Sequence, residues 1–119
     1  MKIAIPVTNN NLASHIHSTL GRSPFYYIYE TKTKESTYVI NTAANAQGGA
    51  GIKAAQLLLD QDINVLITPR SGTNALEVLH AGKVEIFESV STNVEGNIQL
   101  YLEGKLNKIM EGHAGFHHA

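Results

Sequence analysis

Apolar residues recur along this chain with two different periods, and each period predicts one kind of secondary structure. In residues 2–7, Ile3, Ile5 and Val7 occupy every second position, which predicts a strand with one apolar face. Pro6 has no N–H group to donate to a neighbouring strand, so we expect the strand to fray there into a loop. The polar stretch that follows predicts a long connection.

The next apolar stretch predicts a β-hairpin. Pro24–Thr31 is aromatic or β-branched almost throughout, which is typical of a strand, and Ser36–Thr42 predicts its partner. Lys32–Lys34 is long enough only for a tight turn, and two strands joined so briefly must run antiparallel. We therefore expect Pro24–Thr31 to run antiparallel to the other strands of the sheet.

Glycines concentrate just before the first helical pattern, where Gly48, Gly49 and Gly51 fall within four positions. Apolar residues follow at helical spacing: Ile52, Ala55, Leu58 and Leu59. Glycines at the start of a helix leave its first N–H groups open and let a bulky ligand approach closely. These donors and the helix dipole favour an anion by about 0.3–1 kcal/mol per charge, and Lys53 would add to the attraction. The alternative is a flexible loop before an ordinary core helix.

The second half of the chain alternates between strands and helices. The apolar run Asn64–Thr68 predicts a strand covered on both faces. Thr73 is placed to cap a second helix, and Gly82 is placed to end it. The apolar positions of this helix are Ala75, Leu76, Val78 and Leu79.

A last strand and a last helix complete the alternation. Val84–Phe87 predicts the strand, and either Thr92 or Asn93 predicts the helix cap; Glu95 supports Thr92 through capping-box spacing. The apolar positions of the helix are Val94, Ile98, Leu100 and Leu102, with weak helical character again over residues 105–110. The predicted order β-β-β-α-β-α-β-α implies parallel strands joined by right-handed crossovers in its second half.

Composition narrows the classes of function. With 119 residues the chain suits one domain, and it contains neither a membrane-spanning apolar run nor a segment resembling a signal peptide. Nine Lys and Arg against ten Asp and Glu argue against a dedicated nucleic-acid-binding protein. The absence of cysteine excludes disulfides, thiol catalysis and thiolate metal sites. We therefore expect a soluble, cytoplasmic protein whose metal chemistry, if any, uses histidine, carboxylate or backbone groups.

Six short segments, in order along nearly the whole chain, carry a resemblance to a known family. They are MKIAIPV at 1–7, LGRSPF at 20–25, GGAGI at 48–52 with AQL at 55–57, VLIT at 65–68, TNA at 73–75 and YLEGKL at 101–106. With them the chain resembles the dinitrogenase iron–molybdenum cofactor biosynthesis family, the small carrier proteins of nitrogenase cofactor assembly and their relatives. The resemblance implies one ribonuclease-H-like, three-layer α/β domain over residues 1–111. Its five-stranded mixed sheet would have the order 3-2-1-4-5 with strand 2 antiparallel.

In such a sheet the strand order reverses between strands 1 and 4, and ligands bind beyond the carboxyl ends of the strands there. Four loops converge on this edge: residues 8–23, 43–51, 69–72 and 89–91. They carry the candidate site residues His15, His17, Arg22, Gly48, Gly49, Gly51, Arg70 and Ser71, with Lys53 just beyond. Family members often have a His-Phe-Gly-like motif before strand 2; this chain has Ser-Thr-Leu-Gly at 18–21, with His17 four residues before the glycine.

These residues fit binding better than catalysis. A nuclease on this kind of fold would need acidic residues on strand 1 and its neighbours to hold magnesium, and strand 1 contains none. Ser71 has no nearby His–Asp pair that would activate it as a nucleophile. We therefore expect a protein that is not an enzyme.

The resemblance implies a carrier or chaperone that transiently binds an iron–molybdenum or iron–sulfur type cluster, with cluster donor and acceptor proteins as partners. A bulky anionic cluster would suit exposed N–H groups, Lys53, Arg22 or Arg70, and one imidazole ligand from His17 or His15. The alternative is a regulatory or scaffolding protein that binds a partner protein or a small anion without a cluster. Each side chain also has an ordinary role as a surface or ion-paired residue.

Four further histidines lie outside this set. His80 falls within a predicted helix, where we expect a structural role. His113, His117 and His118 belong to the tail at residues 112–119, which is too rich in glycine to order itself. Histidine-rich tracts bind metals, but adventitious binding or none is the default expectation.

Overall fold

The structure is a computed structural model and describes residues 1–11, 14–69, 73–91 and 93–110. Its elements are β1 (Lys2–Val7), β2 (Phe25–Glu30), β3 (Ser36–Ile40), α1 (Ala50–Asp60), β4 (Val65–Thr68), α2 (Thr73–Ala81), β5 (Glu85–Glu88) and α3 (Val94–Leu102). This order confirms the predicted alternation. The candidates Arg70, Ser71 and Thr92 and the histidines of the tail lie outside the described residues.

The five strands form one mixed sheet in the order β3-β2-β1-β4-β5. β2 pairs antiparallel with both β1 and β3, whereas β4 pairs parallel with β1 and β5. The hairpin turn between β2 and β3 closes through Lys34, which has φ +62° and whose N–H donates to the Glu30 carbonyl at 2.8 Å. The predicted direction of the second strand is therefore confirmed.

Two apolar cores lie on opposite faces of the sheet. α1 and α2 cover one face, where the buried residues include Ala4 and Leu66. α3 covers the other face, where they include Ile3, Val65 and Ile67. All four residues of β4 are buried, which confirms a strand covered on both faces and makes the fold a three-layer α/β/α arrangement.

The prediction that the first strand frays at Pro6 is wrong, because β1 continues through Pro6 to Val7. Beyond β1 the chain folds back, and Ile16 forms an antiparallel bridge with Val7. The Pro6 carbonyl accepts the N–H of His17 at 2.9 Å on this side. The nitrogen and the carbonyl of one strand residue point to the same side. The pairing on this side uses only the carbonyl of Pro6. Its missing N–H group therefore does not interrupt the strand.

The buried face of α1 consists of small residues and one leucine: Ala50, Ala54, Ala55 and Leu58. Ile52, one of the apolar positions of the predicted helix, lies outside this face and is 36% exposed. α1 lies close to α2, where a β-carbon on Gly51 would be 3.5 Å from that of Ala75. Small residues therefore suit the contact face.

The boundaries of α2 also differ from the expectation. Thr73 is the first helical residue rather than its cap. The left-handed residue after the helix is Lys83, with φ +66°, and not Gly82. A β-carbon on Gly82 would lie 2.4 Å from Leu59 Cδ2, so a larger residue there would require the Leu59 side chain to move.

α3 begins at Asn93, whose side chain accepts the N–H of Gly96 at 2.7 Å. Leu102, predicted as an apolar position of this helix, is 53% exposed at its end. The expected helical continuation over residues 105–110 is wrong: Lys108 forms an antiparallel bridge with Phe87 of β5. This extended segment supplies hydrogen bonds to an otherwise open sheet edge.

No helix within the described ranges is both long and apolar enough to cross a membrane.

Candidate functional site

A cavity of about 550 Å³ lies where β1, β4 and β5 end. Its lining residues are His15, Ile16, Ser18, Pro69, Ser89, Val90 and Ser91. The bridge between Ile16 and Val7 places the returning loop beside β1, and the Ser89 N–H donates to the Thr68 carbonyl at 3.0 Å. Three of the four loops predicted to converge therefore meet at this cavity.

The structure separates the two histidines that the sequence proposed as metal ligands. His15 is exposed and lines the cavity, and its backbone is held by Thr8, whose N–H donates to the His15 carbonyl at 2.9 Å. His17 is not among the lining residues, and its Nδ1 lies 3.0–3.3 Å from polar atoms of Thr19. Nε2 of His17 is therefore the nitrogen left for a ligand.

The described residues around the cavity offer few side chains that could ligate a metal ion. Within the described ranges, no three or more histidine or carboxylate side chains are grouped so that they could hold a metal ion. The described cavity lining contains one imidazole and three serine hydroxyls and no carboxylate. Such a lining does not repel an anion, and its hydroxyl groups donate hydrogen bonds.

The glycine loop lies apart from the lining of this cavity. Gly49 is the N-cap residue of α1 in the left-handed conformation, with φ +67°. A β-carbon on Gly48 or Gly49 would meet nothing within 4 Å, so these two residues leave open space. Gly51 instead packs beside Ala75 and is covered on another side by Gly21.

The start of α1 has the electrostatic features of an anion site. No side chain caps it, and its first turn contains no acidic residue. The Lys53 N–H donates to the Gly49 carbonyl at 2.9 Å, so the N–H groups before Lys53 have no intrahelical acceptor. The Lys53 side chain is exposed in this first turn. The positive end of the helix dipole is therefore not neutralised by the helix itself.

Arg22 connects the first loop to the glycine loop. Its Nη1 donates to the carbonyls of Ala44 at 2.9 Å and Ala46 at 2.6 Å. A guanidinium carries five N–H donors. These two bonds use only Nη1, which leaves the donors on Nε and Nη2 for a ligand. The sequence proposed Arg22 as an anion contact, and the structure gives it a second role in holding the backbone of the glycine loop.

Two buried side chains that the sequence analysis did not single out fix the same region. The Tyr26 hydroxyl donates to the Leu20 carbonyl, and burial raises the pKa of this hydroxyl above its usual range. Asn41 Nδ2 donates to the carbonyls of Gly21 at 3.0 Å and Ser23 at 2.8 Å. The only sequence signal for either residue is a polar group at the end of an apolar strand.

Comparisons with known proteins agree with this architecture. The family described as "Dinitrogenase iron-molybdenum cofactor" matches residues 1–104. An uncharacterized protein of Methanocaldococcus jannaschii is 32% identical in an alignment of 111 positions that covers 91% of this chain and 91% of that one.

Two solved structures extend the comparison. The apo form of the orange protein from Desulfovibrio gigas superposes with a TM-score of 0.88 at 25% identity, covering 93% of this chain and 94% of that one. A NifB-like protein from Thermotoga gives 0.78 at 31% identity, covering 90% and 91%. With a family match over residues 1–104 and a relative above 30% identity, the chain belongs to the dinitrogenase iron–molybdenum cofactor family.

Proposed function

We propose that this protein is a non-catalytic carrier of an anionic metal–sulfur cluster of the iron–molybdenum or iron–sulfur type. The cluster would bind transiently at the carboxyl edge of the sheet and pass between donor and acceptor proteins of cofactor assembly. The observation that carries this proposal is the cavity that brings His15 together with three serine hydroxyls between the ends of β1, β4 and β5. We further propose a cytoplasmic location and a ribonuclease-H-like classification of the fold.

The size and chemistry of the cavity support a bulky anion. Its volume of about 550 Å³ falls within the roughly 300–1,000 Å³ of ordinary ligand sites. One imidazole offers a metal–nitrogen bond, while Ser18, Ser89 and Ser91 offer hydrogen bonds to sulfide or oxygen atoms. A ligand held by one metal bond and several hydrogen bonds is exchanged more easily than one held by a full set of protein ligands, which suits a carrier.

The glycine loop would supply the second, electrostatic part of the site. Gly48 and Gly49 leave open space at the uncapped start of α1, and Lys53 and Arg22 add positive charge nearby. On the sequence, Arg70 and Ser71 belong to the same edge, and we assign them the same role. His17 remains the alternative imidazole through Nε2.

A second candidate function is the binding of a small anion without a cluster, as in a regulatory or scaffolding protein. The observation that favours it is the lack, within the described ranges, of any group of three metal-ligating side chains. Hydrogen bonds and the helix dipole alone are sufficient to hold an oxyanion. The two candidates differ in whether an imidazole forms a metal bond.

Anaerobic titration with a synthetic iron–sulfur cubane carrying exchangeable thiolate ligands tests the proposal. Visible absorbance and metal content should show one cluster bound, with affinity reduced at least tenfold in His15→Ala. His17→Ala is the matched variant. A loss of cubane affinity in that variant alone would show that His17, and not His15, is the ligand. Unchanged affinity in the double variant would contradict an imidazole ligand.

The pH dependence separates the two candidate functions. A protonated imidazole does not ligate metal, so cluster binding should weaken as the pH falls through the range in which histidine protonates. An anion held by hydrogen bonds, Lys53 and the helix dipole has no metal bond to lose, so acidification over the same range should not weaken its binding. Binding of sulfate, whose charge does not change over this range, without any binding of the cubane, would favour the second candidate.

A further inference from the structure

Asn97 is a fully buried polar residue on the inward face of α3. Its side chain pairs with both backbone groups of Val90. Oδ1 accepts the Val90 N–H at 2.8 Å, and Nδ2 donates to the Val90 carbonyl at 3.2 Å. Nδ2 also donates to the Asn93 carbonyl at 3.0 Å. The amide thus pairs with both backbone groups of one residue of the β5–α3 loop, as a neighbouring strand would.

Val90, which these hydrogen bonds from Asn97 hold as a clamp, is the middle residue of the cavity wall formed by residues 89–91. Ser89, Val90 and Ser91 all line the cavity. The wall is tied at one side by the hydrogen bond from the Ser89 N–H to the Thr68 carbonyl, and at the centre by Asn97. Within the described residues, hydrogen bonds to β4 and to α3 therefore hold it in position.

The wall has little packing of its own to hold it in place. The Val90 side chain is 44% exposed, and Ser91 is exposed as well. A loop with few buried apolar contacts is mobile unless hydrogen bonds fix its backbone. Asn97 supplies those bonds from a rigid helix.

An asparagine at this buried position would destabilise the protein unless its amide formed the hydrogen bonds to Val90. Its neighbours on the buried face of α3, Val94 and Ile98, are apolar, and asparagine is a poor helix former. A buried amide is tolerated only when its donors and acceptor are paired. A leucine, which has the same branching, would add apolar contact on this face but could not bond to the loop.

We propose that Asn97 is a positioning residue that holds residues 89–91 as the wall of the ligand cavity and thereby sets its affinity for a bound cluster. The inference rests on the proposed function, because it takes this cavity as the binding site. Asn97 itself contacts Val90 and is not among the residues that line the cavity. It acts by keeping Ser89 and Ser91 at the edge of the cavity that His15 also lines.

Two measurements on Asn97→Leu test the proposal. Hydrogen exchange at the Val90 amide should be faster than in the unmodified protein by at least tenfold, because its acceptor is gone. Affinity for the iron–sulfur cubane should fall by at least tenfold while the circular dichroism spectrum is kept. Asn97→Ala removes the amide without adding volume at this buried position, so it should give a similar loss of affinity and serves if the leucine variant does not fold.

Ile98→Val is the matched control on the same helix. It reduces packing on the buried face of α3 and leaves the amide clamp intact, so stability should fall while the cubane affinity stays the same. Equal affinity losses in Asn97→Leu and Ile98→Val would assign the effect to general destabilisation and overturn the proposal. Unchanged affinity in Asn97→Leu with fast exchange at Val90 would overturn it as well. Failure of the unmodified protein to bind the cubane would overturn the proposed function, and this inference with it.

Discussion

Gly21 lies directly against the first turn of α1, where a β-carbon on it would be 2.8 Å from the backbone nitrogen of Gly51. Asn41 Nδ2 holds Gly21 in this position by donating a hydrogen bond to the Gly21 carbonyl. The two glycines therefore let the first loop and the start of α1 approach more closely than side chains allow. Of these two, only Gly51 is a site residue predicted from the sequence.

Gly21→Ala should destabilise the protein by about 1–3 kcal/mol, because the added methyl meets backbone atoms that cannot move away cheaply. Urea denaturation measures the change. Gly48→Ala is the matched control, since a β-carbon there meets nothing within 4 Å, and it should shift stability by less than about 0.5 kcal/mol. Equal stabilities of the two variants would show that the Gly21 contact is not tight.

Gly49 has φ +67°, a conformation that side chains other than asparagine adopt at a cost of about 1–2 kcal/mol. We expect stability to decrease in the order glycine, asparagine, alanine, valine at this position. Because Gly49→Asn keeps the conformation and places a side chain in the open space, it should weaken anion binding with little loss of stability. Full affinity in Gly49→Asn would argue that no ligand approaches the glycine loop there.

Tyr26→Phe should destabilise the protein by about 1–3 kcal/mol, because it leaves the buried Leu20 carbonyl without its donor. The pKa of Tyr26 is raised by burial, so the unfolded chain loses this proton first as the pH rises above the ordinary value of 10.0. Stability of the unmodified protein should therefore fall above that pH, and the variant should lose less over the same range. Tyr29→Phe, whose hydroxyl has no hydrogen bond within the described residues, should behave like the unmodified protein.

The N-terminal ammonium group lies 2.8 Å from Glu30 Oε2, and its hydrogen bond lowers the pKa of that carboxyl. A carboxyl whose pKa is lowered by folding stabilises the protein at neutral pH, and this stabilisation is lost as the pH falls through the folded-state value. Glu30→Gln should therefore be less stable at neutral pH and equal to the unmodified protein in acid, as thermal unfolding at several pH values would show. Glu35→Gln is the control in the same hairpin, and a similar pH profile for both variants would contradict the pairing.

Local pattern alone was sufficient for the order and direction of the elements. Alternation in β1, the tight turn between β2 and β3, and the continuous apolar run of β4 each depend on neighbours only a few residues apart. Backbone geometry converts such spacing directly into a buried face or a strand direction. The family segments added the strand order, which β-β-β-α-β-α-β-α by itself does not determine.

Contacts between distant parts of the chain decided the rest. The pairing of Ile16 with Val7 brings His15 to the cavity and leaves His17 beside Thr19, although the family resemblance favours His17 over His15 as the ligand. The same holds for the extended segment at residues 105–110, which pairs with the open edge of β5 instead of forming a helix. Local propensity is worth only tenths of a kcal/mol per residue, so hydrogen bonds and burial supplied by remote segments override it.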